Sequence, residues 1–98
     1  MKFLENYNFN KETIADFLNN SPKKFIDAIK DNKKLVSENI DYLKNLGITN
    51  YQEIFLEYYD MFLMDHSNFV EIFSKYELDG PDGLIEKLSK NIKIIEYL

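Results

Sequence analysis

Glu53, Glu57 and Asp60 follow one another at spacings of four and three, which on a helix places all three carboxylates on one face. Groups so arranged offer either paired acid–base chemistry or a concentrated negative charge for a cation. Carboxylate pairs recur throughout an acidic chain, so spacing alone does not assign these three to catalysis. Like charges at such spacings repel by about 0.2–0.5 kcal/mol per pair, and a cationic partner relieves that repulsion. His66, the only histidine, stands beside Asp65, a pairing that could serve as a general base or hold a metal. One imidazole without Cys or a second His makes a weak transition-metal site, and sequence neighbours do not converge on a helix. The expected part for His66 is that of a helix-terminal residue interacting with the macrodipole. Asp79 and Asp82 share a loop with Gly80 and Gly83, but Pro81 stands where a calcium ligand is needed and no closing Glu is correctly spaced. No glycine-rich phosphate cradle and no activated nucleophile is present. The expectation is a protein that is not an enzyme and uses neither metal nor cofactor.

The acidic trio lies in the most unbalanced part of the chain. Residues 51–82 hold eight carboxylates against one lysine, Lys75, together with eight tyrosines and phenylalanines, whereas the rest of the chain has eleven lysines and nine acids. Phe55, Phe62, Phe69 and Phe73 read as core. Tyr51, Tyr59 and Tyr76 fall nearer the polar side, where amphipathic rings either shield a core rim or act as interface anchors. The predicted partner-binding surface is therefore Glu53, Glu57, Tyr59 and Asp60, with Tyr51, Asp65 and Tyr76 at its edge. Its expected partner is a protein with a basic surface. Lys23, Lys24, Lys30, Lys33 and Lys34 supply an alternative, a self-assembling module in which this lysine-rich stretch meets the acidic face of the next copy. A second alternative is an acidic mimic of nucleic acid, and the plainest is a solvated face whose acids meet lysines elsewhere in the fold. All twelve basic residues are lysine, which argues against direct nucleic-acid recognition because arginine's planar fork is the usual reader of phosphate and guanine.

Composition bounds the scaffold that must position these groups. Ninety-eight residues suffice for one domain, spanning 1–98, and 45% apolar with 15% aromatic content is ample for a core. The absence of Cys removes disulfides and thiolate sites, and no leader pattern is visible at the N-terminus, so a cytoplasmic setting is expected. The longest apolar run is Met61-Phe62-Leu63-Met64, far short of the roughly 20 residues that span a bilayer.

Apolar spacing of three and four, with only five Gly and Pro residues, predicts an all-α fold of six or seven short helices, bundled or stacked. The first helix is expected over Lys2 to Tyr7, and the second from Lys11 to about Asn19, capped by Asn10 and facing inward with Ile14, Phe17 and Leu18. Ser21-Pro22 signals the start of a third, carrying Phe25, Ile26 and Ile29. A kink near Asn32 leads into a fourth helix closed by Gly47. Asn50 with Glu53, and Asn68 with Glu71, form capping-box patterns for the fifth and sixth helices. The fifth shows Ile54, Phe55, Tyr58, Met61 and Phe62 inward, with Met64 a further candidate. Asp82 is placed to cap a last helix running from Leu84 to Leu98, and the β-branched stretch 92–98 offers a strand as the minor alternative.

A thirty-residue shift superposes Tyr42, Leu43, Leu46, Ile54, Phe55 and Tyr58 on Ile72, Phe73, Tyr76, Leu84, Ile85 and Leu88, suggesting internal repeats near 3–35, 42–66 and 72–98. Within this pattern the run Ser37-Glu38-Asn39-Ile40-Asp41-Tyr42-Leu43-Lys44-Asn45-Leu46-Gly47-Ile48 resembles the repeat of the mitochondrial transcription termination factor family, with Leu43, Leu46 and Gly47 matching its helix end and Pro22 its proline. Phe3 to Phe9 forms a looser copy. The resemblance implies stacked helices that bind duplex nucleic acid through a basic concave face. An acidic chain without arginine does not supply that face, so the resemblance extends to the fold only.

Overall fold

In a computed structural model describing all 98 residues, Met1–Leu98, the chain forms seven α-helices, two 3₁₀ segments and no strand. These are α1 (Lys2–Glu5), α2 (Lys11–Asn20), α3 (Lys23–Asp31), α4 (Lys33–Leu46), α5 (Tyr51–Tyr58), a first 3₁₀ segment (Tyr59–Leu63), α6 (His66–Ser74), α7 (Leu84–Lys90) and a second 3₁₀ segment (Ile92–Tyr97). The all-α class follows from the apolar period. No helix is long and apolar enough to cross a membrane.

Three of the expected boundary devices operate as the sequence indicates. Asn10 Oδ1 accepts from the Thr13 amide at 2.8 Å, satisfying one of the orphan donors of α2. Gly47 takes φ 93° and closes α4, its amide donating to Lys44 O at 3.0 Å while the Ile48 amide donates to Leu43 O at 3.2 Å. Asn32 is the expected kink, since it ends α3 and begins α4 without an intervening loop. Gln52 adds a tie that joins α5 to the start of α2: its Oε1 accepts from the Asn10 amide and its Nε2 donates to Asn8 O, both at 2.9 Å.

Several boundaries differ from the expectation. α1 ends at Glu5 rather than Tyr7, and the chain reverses at Asn8, whose φ of 66° is a conformation asparagine tolerates better than most residues. Ser21 closes α2 instead of capping α3, because α3 begins at Lys23 with Pro22 in the N-cap position, whose carbonyl accepts from the Phe25 and Ile26 amides at 3.0 and 3.2 Å. Asn50 makes no cap bond, since its Nδ2 donates to Leu88 O at 2.8 Å and its side chain serves the α5–α7 contact. α6 begins at His66, two residues before Asn68. Asp82 does not cap α7 either. The backbone does so, with the Leu84 and Ile85 amides donating to Glu77 O and Leu78 O at 2.8 and 3.2 Å. Leu18, expected inside, is exposed, and residues 92–97 form 3₁₀ turns, not a strand.

Seventeen buried apolar residues form one core cluster. Its spine is aromatic: Phe9, Phe55, Phe62, Phe69 and Phe73 follow one another at centroid separations of 5.3, 5.1, 5.3 and 5.2 Å, and Phe17 joins at Phe55 at 5.2 Å. Tilted and edge-on pairs of this kind contribute about 0.5–1.5 kcal/mol each beyond the area they bury. This spine draws α2, α5, the first 3₁₀ segment and α6 together and sets the acidic residues of α5 on the outside.

Candidate functional site: the acidic face of α5

Glu53 and Glu57 are exposed one turn apart on α5. Asp60 is exposed as well, but it belongs to the 3₁₀ segment, so the three acids do not continue as one α-helical ridge. No lysine stands within 4 Å of any of them. The two ion pairs of the chain lie elsewhere, Lys23–Asp27 at 2.8 Å on α3 and Lys90–Glu86 at 3.2 Å on α7. Beside Glu57, a groove of about 310 Å³ between α5 and the C-terminal end of α2 is lined by Asp16, Asn20, Ser21, Leu56, Glu57 and Tyr59. Asp16 thus brings a second carboxylate to the groove. Sequence reasoning missed it because nothing in a linear reading pairs the polar side of α2 with α5.

The tyrosines divide among different tasks. Tyr59 is half-buried, its ring 5.4 Å from Phe17 and 5.3 Å from Phe25, so it covers the core rim while still lining the groove. Tyr51 is half-buried too: its hydroxyl donates to Tyr7 O at 2.8 Å, its ring meets Phe9 edge-on and Lys44 Nζ lies 5.4 Å above it. Tyr58, expected inside, is only partly so and donates to Glu96 Oε2 at 2.6 Å. That bond, burial and the negative charges of Glu96 and Glu57 push its hydroxyl up to about 12. Tyr76 belongs to another part of the surface, a cleft of about 290 Å³ that it shares with α7 and the second 3₁₀ segment.

Asp65 stands exposed at the start of α6. The Ser67 hydroxyl donates to its carboxylate and, with the amides of Ser67 and Asn68 and the neighbouring His66, holds the carboxyl below its ordinary range. His66 opens α6, where the helix dipole is positive and does not favour an imidazolium, contrary to the expected macrodipole interaction. Its partner is Asn39. Asn39 is fully buried, and its Nδ2 donates to Phe62 O and Met64 O, each at 3.0 Å. With both amide protons committed, Asn39 Oδ1 accepts, and His66 Nδ1 at 2.8 Å must carry the proton. No group of three or more His, Asp or Glu side chains is arranged to hold a metal ion.

Compared with models of known protein families, with curated proteins and with solved structures, the chain matches none.

Proposed function

We propose that the protein is a non-catalytic interaction module that receives a basic protein surface on the face formed by Glu53, Glu57 and Asp60, with Asp16 across the groove. The observation carrying this reading is that the face has no counter-ion of its own, although the chain contains twelve lysines. Unneutralised carboxylates steer a cationic partner and raise its association rate in a salt-dependent manner. The groove suits the stem of a lysine or arginine, since Leu56 and the Tyr59 ring provide apolar wall beside Glu57 and Asp16. A cytoplasmic setting is part of the proposal.

The test is an affinity pull-down from the native host with wild type and with Glu57→Lys plus Asp60→Lys. Loss of a specific band in the variant, and weakening of the same band in wild type as salt rises, are expected. Identical bands from both proteins defeat the reading.

A second reading, self-assembly, is favoured by one further observation. Lys33 and Lys34 are exposed and form no ion pair either, so one copy carries both complementary surfaces. Light scattering separates the two: an assembly at low salt that dissociates at high salt supports the second, and a salt-indifferent monomer removes it.

A further inference from the structure

Among the large apolar side chains of this protein, only Leu18, Tyr76 and Tyr97 are exposed, at 36, 40 and 84%. Two of the three, Tyr76 and Tyr97, line the same cleft, together with the apolar side chains of Leu84 and Ile94. Leu84 is buried and Ile94 half-buried, so the cleft presents an apolar interior and open aromatic edges. Glu77 and Asp82 line it as well, both exposed and neither within ion-pair distance of a lysine. Lys87 is the one cation among the lining residues, so carboxylates outnumber it there two to one.

We infer that this cleft docks a segment of a partner protein that presents one aliphatic or aromatic side chain next to a lysine or arginine. Its volume, about 290 Å³, has room for one large apolar side chain and lies at the low end of the roughly 300 to 1,000 Å³ of small-molecule sites. Its composition is that of an anchor pocket: two tyrosines give contact area at little entropic cost, and an apolar side chain entering between them leaves water behind. The excess carboxylates select the flanking charge. No lining residue is shared with the groove at Glu57 and Tyr59, so the inference stands or falls independently of the acidic face of α5.

The test is a nuclear magnetic resonance titration of the isotope-labelled full chain with two synthetic peptides, Lys-Leu-Lys-Phe-Lys and Glu-Leu-Glu-Phe-Glu. The lysine peptide is expected to produce saturable amide shifts at Tyr76, Glu77, Leu84 and Tyr97, and the glutamate peptide none. Tyr97→Ala, at a site too exposed to threaten the fold, should weaken binding about tenfold or more. Glu77→Lys with Asp82→Lys should transfer the preference to the glutamate peptide. The inference is overturned by an absence of saturable shifts, by equal response to the two peptides, or by wild-type affinity in Tyr97→Ala. It is also overturned if the same amides shift with protein concentration alone, because the occupant is then a second copy of the chain.

Discussion

Asn39 is the one fully buried polar residue of the chain. It interrupts the buried stripe of Val36, Ile40 and Leu43 on α4 and holds the turn from the first 3₁₀ segment into α6 through two carbonyls and His66. Asn39→Ala leaves those carbonyls without donors, and a loss of about 1–3 kcal/mol for each buried group left unpaired is expected in urea unfolding. Asn39→Asp should be worse at neutral pH, since it turns a carboxylate oxygen toward two carbonyl oxygens. Sequence reasoning missed this asparagine, although it stands at core spacing, because its partners lie 23 to 27 residues away. Tyr58 provides a pH prediction. Its folded-state value of about 12 exceeds the ordinary 10.0, so the folded chain holds this proton more tightly than the unfolded one. The stability contributed is complete below about pH 10 and disappears as pH rises through about 12. Ultraviolet titration should show the Tyr58 phenol ionising above its ordinary value, and Glu96→Gln should return it toward that value.

At the level of helices and turns, two glycines are irreplaceable for different reasons. A side chain at Gly47 has room, with Ile85 Cδ1 at 3.8 Å as the nearest atom to a built Cβ, but its φ of 93° is left-handed. Gly47→Ala should therefore cost about 1–2 kcal/mol from the backbone alone. Gly83 has an ordinary φ, and there the obstacle is space: a Cβ would press on Asp79 O and stand 2.5 Å from Leu78 O. Gly83→Ala should displace the 77–83 loop from the amides it caps, lowering stability by about 1–3 kcal/mol in thermal unfolding and shifting amide signals at Leu84 and Ile85. Helix identity and most inward faces were legible because three-to-four spacing reports them directly. The caps were less so. Asn10 and Gly47 act locally and read correctly, whereas Asn50 and Asp82 lost their expected places to long-range partners: Asn50 turned to Leu88 O, and the carbonyls of Glu77 and Leu78 displaced Asp82. The predicted binding surface divided for the same reason, since a linear reading cannot know that Tyr76 comes to line the cleft with α7 and the second 3₁₀ segment, away from the groove at Glu57 and Tyr59.

For the molecule as a whole, stability rests on the aromatic spine and surface character on charges left unpaired outside it. Phe55 meets Phe9, Phe17 and Phe62, so Phe55→Ala opens a cavity at the junction of α2, α5 and the first 3₁₀ segment. A loss of about 3–5 kcal/mol is expected, measurable by calorimetry. Disrupting the exposed pair Lys23–Asp27 should leave the unfolding midpoint nearly unchanged, because solvent screens it. The bond between Tyr58 and Glu96 ties the end of α5 to the second 3₁₀ segment. Its two ends are the sequence neighbours of Glu57 and Tyr97, which line the two proposed docking sites. Removing this bond with Tyr58→Phe unties the C-terminal turns from α5, and amide hydrogen exchange should quicken over residues 92–97.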